Sequence, residues 1–295
     1  MEKFLYDLTW VLPLRSDVAT PVFQFFSWLG YTAFFLLSLP VIFWTLGRKI
    51  ADHVAIPTVL AAVAMYFLKD LCQDPRPPAE LSIEGTRPDS FGFPSGHTLI
   101  AIVFWSSLAF ELRKQWFTIL AVILIFGIAF SRLYLGVHDV EDVLGGLLFG
   151  LLILGGSRLV LTPRIQSTTS RLSVVGLSAL ALVPITSLLV WPNQSPPGGM
   201  FLLSGFLPAW IAGASLQAWF IPALRIAGWK ILPGALLGFL LLFGLEFGLK
   251  TFFRSVETPK ELAQICAGIL FGFAVTLAIP ALFRLLKLEK RTVVT

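Results

Sequence analysis

The chain has 295 residues, 56% of them hydrophobic and 13% charged, with a formal net charge of +5. So few charges cannot cover a soluble protein of this length, and apolar runs of roughly 17 to 25 residues, each able to cross a bilayer as a helix, recur from end to end. A water-soluble globular domain is excluded, and the placement of Lys and Arg in short loops suits membrane orientation rather than nucleic-acid binding.

In chain order, the opening "MEKFLYDLTWVLPLRSD" carries acids and a proline where a cleavable signal peptide needs an unbroken apolar core. It reads instead as an amphipathic interfacial segment with Trp10 near the headgroups. About nine spans follow, at 22–46, 51–68, 97–112, 116–134, 143–161, 172–191, 201–224, 231–248 and 262–286. The fold class expected is an all-α integral membrane protein. Small-residue stretches such as "GGLLFGLLILGG" suit close helix packing. A polar, basic linker at 161–171 divides a front half (1–165), which holds all the recognisable chemistry, from a back half (166–295) of four spans that holds none.

Lys and Arg accumulate in one set of loops, from Arg48 and Lys49 through Arg113, Lys114 and Arg158 to Lys287 and Arg291. That set is expected to be cytoplasmic, with the N-terminus outside and the C-terminus inside. Cys72 and Cys266 lie far apart, one in a loop and one in a span, which implies neither a disulfide framework nor a thiolate metal site.

Three stretches carry chemistry. "KDLCQDPRP" ends the second span with Lys69 and holds Arg76 between two prolines; "PSGH" (Pro94 to His97) opens the third span; "SRLYLGVHDVED" leads into the fifth with Arg132, His138 and Asp142. Two spans separate the second stretch from the third, and the first shares a loop with the second. All three therefore emerge on one membrane face.

Lys69, Arg76 and Arg132 offer a point charge and two planar forks, suited to the oxygens of a phosphate. Ser95 and Gly96 precede a helix start, where backbone N–H groups and the helix dipole favour an anion, and glycine admits close approach. A carboxylate one helical turn from His138 can hold one ring nitrogen and leave the other as a nucleophile. His97, from another helix end, would face the leaving group and donate a proton. The set spells phosphoryl transfer through a phosphohistidine, with cationic side chains in place of a metal and no cofactor. "HDVED" offers three acids: Asp139 points elsewhere and suits the helix dipole, while Glu141 and Asp142 both share a face with His138. Arg87 either reaches a headgroup or solvates its loop. In the back half, Glu246 sits one turn before Lys250, where pairing would satisfy it.

Lys69-x6-Arg76-Pro77, Pro94-Ser95-Gly96-His97 and Ser131-Arg132-x5-His138-x3-Asp142 together resemble the tripartite signature of the type 2 phosphatidic acid phosphatase superfamily. That superfamily includes lipid phosphate phosphatases, undecaprenyl and dolichyl diphosphatases, sphingosine 1-phosphate phosphatases, glucose-6-phosphatase and vanadium haloperoxidases. The resemblance covers about residues 20 to 160. It implies a six-helix core, for which the sequence supplies five spans plus the N-terminal segment, and four C-terminal spans beyond it. It selects Asp142 over Glu141 and implies His138 as nucleophile, Asp142 as its orienter and His97 as general acid. Phosphate would be bound by Lys69, Arg76, Ser95, Gly96 and Arg132. The substrate class implied is a membrane lipid phosphate or diphosphate, met at an outer or lumenal face, with no nucleic-acid partner. Transfer of the phosphoryl group to an acceptor lipid, and a lipid carrier or scramblase, are the two other readings. Which lipid is used, and the oligomeric state, are not legible.

Overall fold

In a bilayer core each backbone N–H and C=O needs a partner, and a helix supplies one within its own segment. The computed structural model is accordingly helical, with no sheet, across the residues it describes: 5–84, 90–161, 171–193, 195–220 and 225–288. Arg87 and most of the expected linker at 161–171 lie outside them. After a 3-10 helix at Thr9–Leu14 come α1 (Ala19–Leu29), α2 (Thr32–Leu46), α3 (Arg48–Cys72), α4 (Gly96–Leu112), α5 (Gln115–Tyr134) and α6 (Val140–Leu161). There follow α7 (Arg171–Leu189), α8 (Gly198–Phe220), α9 (Ile231–Ser255), α10 (Lys260–Phe273) and, past a π-turn at Ala274–Ala278, α11 (Ile279–Leu285).

Among the described residues each of the nine expected runs falls mainly on helix, but six helical stretches are long and apolar enough to cross a membrane: α3, α5, α6, α8, Gly228–Ser255 and Lys260–Leu285. α1 and α2 qualify only together, as a pair bent by 56°. α4 and the stretch Gly176–Leu189 are apolar but shorter. α4 is held to 17 residues by Ser95 in extended conformation at its start and by Arg113, left-handed at φ 52°, at its end.

The chain forms two compact units, Met1–Leu36 with His53–Thr162, and Leu37–Asp52 with Pro163–Thr295. The first takes in α1, the opening residues of α2 up to Leu36, α3 from His53 onwards, and α4, α5 and α6. The N-terminal segment, expected to lie at the interface and to supply the core's sixth helix, forms a 3-10 helix at Thr9–Leu14. Its neighbouring Leu8 and its own Val11 are buried against Leu133, Tyr134, Leu135 and Val143, and Trp10 packs on Phe130 with ring centroids 6.4 Å apart. Arg15 pins this segment, donating from Nε to the Tyr134 carbonyl (3.0 Å) and from Nη2 to the Leu81 carbonyl (2.7 Å). Gly136 is left-handed (φ 72°), and a Cβ there would stand 2.1 Å from the Leu81 carbonyl oxygen, so only glycine fits.

α6 lies against α4 through part of its glycine stretch. A Cβ on Gly146 would meet the Ser95 carbonyl oxygen at 2.7 Å, and one on Gly150 the Ile102 side chain at 2.1 Å. Gly155 and Gly156, in the same run, have nothing within 4 Å.

The second unit is built on α8 and α10, whose backbones approach closely at Gly205, facing the Ile265 carbonyl, and Gly268, facing the Leu202 carbonyl. Trp44 is fully buried there, donates from its indole to the Val275 carbonyl (2.9 Å) and meets Phe239 and Phe283 edge-on. Glu246 and Lys250 pair at 2.6 Å on an exposed face. Both cysteines are free thiols.

Candidate active site

The start of α6 is organised by its acids. Asp139 is the residue before the helix; its Oδ1 accepts the Asp142 N–H (3.0 Å), while Asp142 Oδ2 accepts the Asp139 N–H (3.3 Å). This reciprocal arrangement satisfies two amides at the helix end, and it aims the Asp142 carboxylate back along the chain. There Oδ2 meets His138 Nδ1 at 2.8 Å, with both side chains almost completely buried. Of the two acids left open by spacing, Asp142 therefore takes the imidazole.

A carboxylate accepts only, so the His138 proton resides on Nδ1 and Nε2 carries the lone pair. Arg76 Nη1 stands 3.3 Å from that Nε2 and also donates to the Val137 carbonyl (2.8 Å). First, burial, and then the charges of Lys69, Arg76, Arg132 and His97, hold His138 well below the ordinary histidine value. The ring is neutral near pH 7.

The three stretches meet in the first unit. Arg76 of the first reaches His138 of the third, and Ser95 of the second donates its N–H to the Asp142 carbonyl oxygen (2.9 Å). That N–H, expected to face an anion, is thus committed to joining α4 to α6. The Ser95 hydroxyl accepts from Thr98 (3.1 Å). A Cβ on Gly96 would stand 2.8 Å from the Met65 side chain of α3, which would have to shift to admit it, so glycine here eases helix packing as well as any approach of a ligand.

The cations also have protein partners. Lys69, 5% exposed, donates from Nζ to the carbonyls of Phe91 and Gly92, the latter at 2.8 Å. Arg76 donates from Nε to the Ser90 carbonyl (2.5 Å) and from Nη2 to its hydroxyl (3.0 Å). Both therefore hold the turn at 90–92 beside the histidine. Arg132, 1% exposed, is gripped by Glu84 and Ser27, and its Nε has no partner among the described residues. His97 packs edge-on against Tyr31, centroids 4.9 Å apart, and its buried Nε2 likewise has none. A Cβ on Gly30 would fall 2.5 Å from the His97 ring, so the bend between α1 and α2 sits directly over this histidine.

Sequence reasoning did not single out Glu84, Ser27, Tyr31 or Gly92. A Gly92 Cβ would lie 3.0 Å from both Asp142 carboxylate oxygens and from Asp74 Oδ2. Glu84, an acid in a loop expected to bind anions, was the available signal. No group of three or more His, Cys, Asp or Glu suited to a metal ion occurs among the described residues. Two imidazoles, one of them held by a carboxylate with its free nitrogen beside Arg76, together with three basic side chains, can attack, and protonate the leaving group of, a phosphate ester.

The family model described as PAP2 superfamily matches residues 53–166. A lipid phosphate phosphatase delta of Arabidopsis thaliana is 36% identical over 145 residues, covering 42% of this chain and 33% of that protein. A sphingosine-1-phosphate phosphatase 2 of Homo sapiens is 31% identical over 145 residues, covering 45% and 35%. The chain thus spans about a third of the length of these relatives. A crystal structure of a transmembrane PAP2 type phosphatidylglycerolphosphate phosphatase from Bacillus subtilis is similar at 24% identity and TM-score 0.45, over 56% of this chain and 84% of that one. The resemblance read from the three motifs is borne out over the matched segment.

Proposed function

We propose that this chain, a PAP2 superfamily member over residues 53–166, is an integral-membrane lipid phosphate phosphatase working through a phosphohistidine without a metal. The observation that carries the reading is the His138–Asp142 contact at 2.8 Å, with Nε2 turned to Arg76 at 3.3 Å. Nε2 attacks phosphorus and the P–O bond to the lipid breaks. His97 gives its proton to the departing oxygen, and Asp142 stabilises the charge gained by His138. His97 then takes a proton from water, which attacks phosphorus. The N–P bond breaks, inorganic phosphate leaves and His138 is restored.

Lys69, Arg76 and Arg132 supply the positive charge that a divalent ion supplies in other phosphoryl-transfer sites. The names of the relatives support a lipid carrying a phosphate headgroup. A substrate anchored by its tail would enter laterally and present that headgroup at the helix mouths, on the face opposite the Arg- and Lys-rich loops. The site-bearing helices form the catalytic core (1–165), the further helices (166–295) complete nine spans, and the C-terminus is cytoplasmic.

The test is phosphate release by the purified chain from phosphatidic acid, phosphatidylglycerol phosphate, sphingosine 1-phosphate and undecaprenyl diphosphate, with EDTA present. Turnover in EDTA that is lost in His138→Ala and in His97→Ala is expected. Turnover surviving both substitutions, or abolished by EDTA alone, overturns the mechanism.

A further inference from the structure

Glu84 lies outside the three motifs, yet it takes the far end of the Arg132 guanidinium. Its Oε1 accepts from Nη1 at 2.9 Å and its Oε2 from Nη2 at 2.8 Å. Oε1 also accepts from the hydroxyls of Ser27 (2.7 Å) and Tyr31 (3.1 Å), which stand on either side of the bend between α1 and α2. Ser27 in turn accepts from Arg132 Nη1. Burial pushes the Glu84 carboxyl up, but the hydrogen bonds and charge of Arg132, with Ser27 and Tyr31, outweigh it and hold the group below the ordinary value. Glu84 is an anion near neutral pH.

A guanidinium offers two forked edges: the end, made of both Nη atoms, and the side, made of Nε and one Nη. Glu84 fills the end. On the side, Nε is a buried donor without a partner among the described residues, an arrangement that is unfavourable until an acceptor arrives. An acid beside a phosphate-binding arginine either competes for the ligand's place or holds the arginine for the ligand. A competitor would cover the open donor. Glu84 leaves it open, and two hydroxyls from a different part of the chain buttress it in that pose. Tyr31 adds a second link, because the ring that donates to Glu84 also packs on His97.

We infer that Glu84, clamped by Ser27 and Tyr31, is a positioning residue that fixes Arg132 with its Nε edge presented to a phosphate oxygen. The inference rests on the phosphatase reading above for the identity of the ligand.

Its test uses the full chain as wild type, Glu84→Ala, Glu84→Gln, Arg132→Ala and the Glu84→Ala/Arg132→Ala double variant. Three quantities are measured: phosphate release from the lipid phosphomonoester that the wild type turns over, orthovanadate binding by calorimetry, and the thermal midpoint. Glu84→Ala is expected to lower kcat/KM per folded molecule by about 100-fold, the scale of a misplaced catalytic contact, to weaken vanadate binding by about tenfold, and to lower the thermal midpoint, because Arg132 loses its buried partner. Glu84→Gln, which still accepts from one Nη, falls between, and it carries the test if the alanine variant does not fold. The double variant is expected to lose little beyond Arg132→Ala, since both changes remove one contact.

Vanadate binding as tight as, or tighter than, wild type in the Glu84 variants overturns the inference, the tighter case identifying a competitor. Losses that add fully in the double variant, as for a merely structural residue, overturn it too, as does a wild type that binds no vanadate. A wild type that binds vanadate but releases phosphate from no lipid defeats the phosphatase reading alone, with the vanadate comparison still deciding the role of Glu84.

Discussion

In the first unit Lys69, Arg132, His138 and Asp142 are each almost wholly buried, and each is bonded to a carbonyl, a carboxylate or an imidazole. In the second the buried polar side chains among the described residues are Ser204, Gln217 and Thr276, and both hydroxyls donate to a carbonyl of their own helical stretch. Cohesion there comes from Gly205 and Gly268, which bring two backbones together. Close packing of this kind needs only small residues and carries no chemical message. A buried set of unlike charges is costly to assemble, and its presence in one unit alone marks where chemistry is to be sought.

Substitutions can break that contrast, beginning where the effect is largest. Asp142→Asn keeps the size of the side chain but loses the charge that sets the His138 tautomer. It is expected to cut kcat by about 10⁴-fold, the scale known for a histidine whose orienting carboxylate is neutralised, in a single-turnover assay with the fold intact by circular dichroism. Gly92→Ala places a methyl 3.0 Å from both Asp142 oxygens. A fall in kcat of about 10- to 100-fold is expected from the displaced carboxylate, and wild-type turnover in that variant would show that Asp142 need not be held so closely.

The pH response has a definite sign. His138 is held below its ordinary 6.5, chiefly by burial and then by the neighbouring cations. The unfolded chain therefore takes up a proton first as pH falls. The stabilisation from a neutral buried ring is complete above about 6.5 and is lost as pH drops towards the lower folded value. The acid limb of kcat/KM for the free enzyme is expected below 6.5 as well, and an acid limb above 6.5 would contradict a neutral ring.

Smaller effects belong to the second unit. Gly268→Val drives a side chain into the Leu202 carbonyl, 2.1 Å from the nearest Cβ position. A loss of about 1–3 kcal/mol is expected from overpacking, read as a lowered thermal midpoint with kcat/KM per folded molecule retained. Glu246→Gln removes a pair whose side chains are 42% and 71% exposed. A change within about 1 kcal/mol is expected, and a larger one would reveal a role for the intramembrane acid that its geometry does not suggest.

Much of the site was legible because its spacing is local. His138 and Asp142 are one turn apart; spacing left Glu141 open and the resemblance chose Asp142, while the reciprocal cap with Asp139 that aims its carboxylate is visible only in the structure. The glycine run of α6 was legible as a packing surface but not residue by residue: Gly146 and Gly150 touch α4, while Gly155 and Gly156 touch nothing. Glu84 stood out only as an acid in a loop expected to bind anions, and its clamp could not be read from the sequence. Its partners Ser27 and Tyr31 come from a chain segment more than fifty residues away in sequence, and they converge on it only because the first apolar run bends at Gly30.

By itself the sequence determined that the apolar runs become helices, since backbone pairing in lipid is a local demand, and the order of the motifs along those runs pointed to their residues gathering. Tertiary structure alone decided how many helices are long enough to cross, and which donor of each cation is already taken. Hydrogen-bonding capacity is finite. Once Glu84 occupies the end of Arg132 and the carbonyls of Phe91 and Gly92 occupy Lys69, what remains for a ligand is set by contacts that no sequence pattern displays.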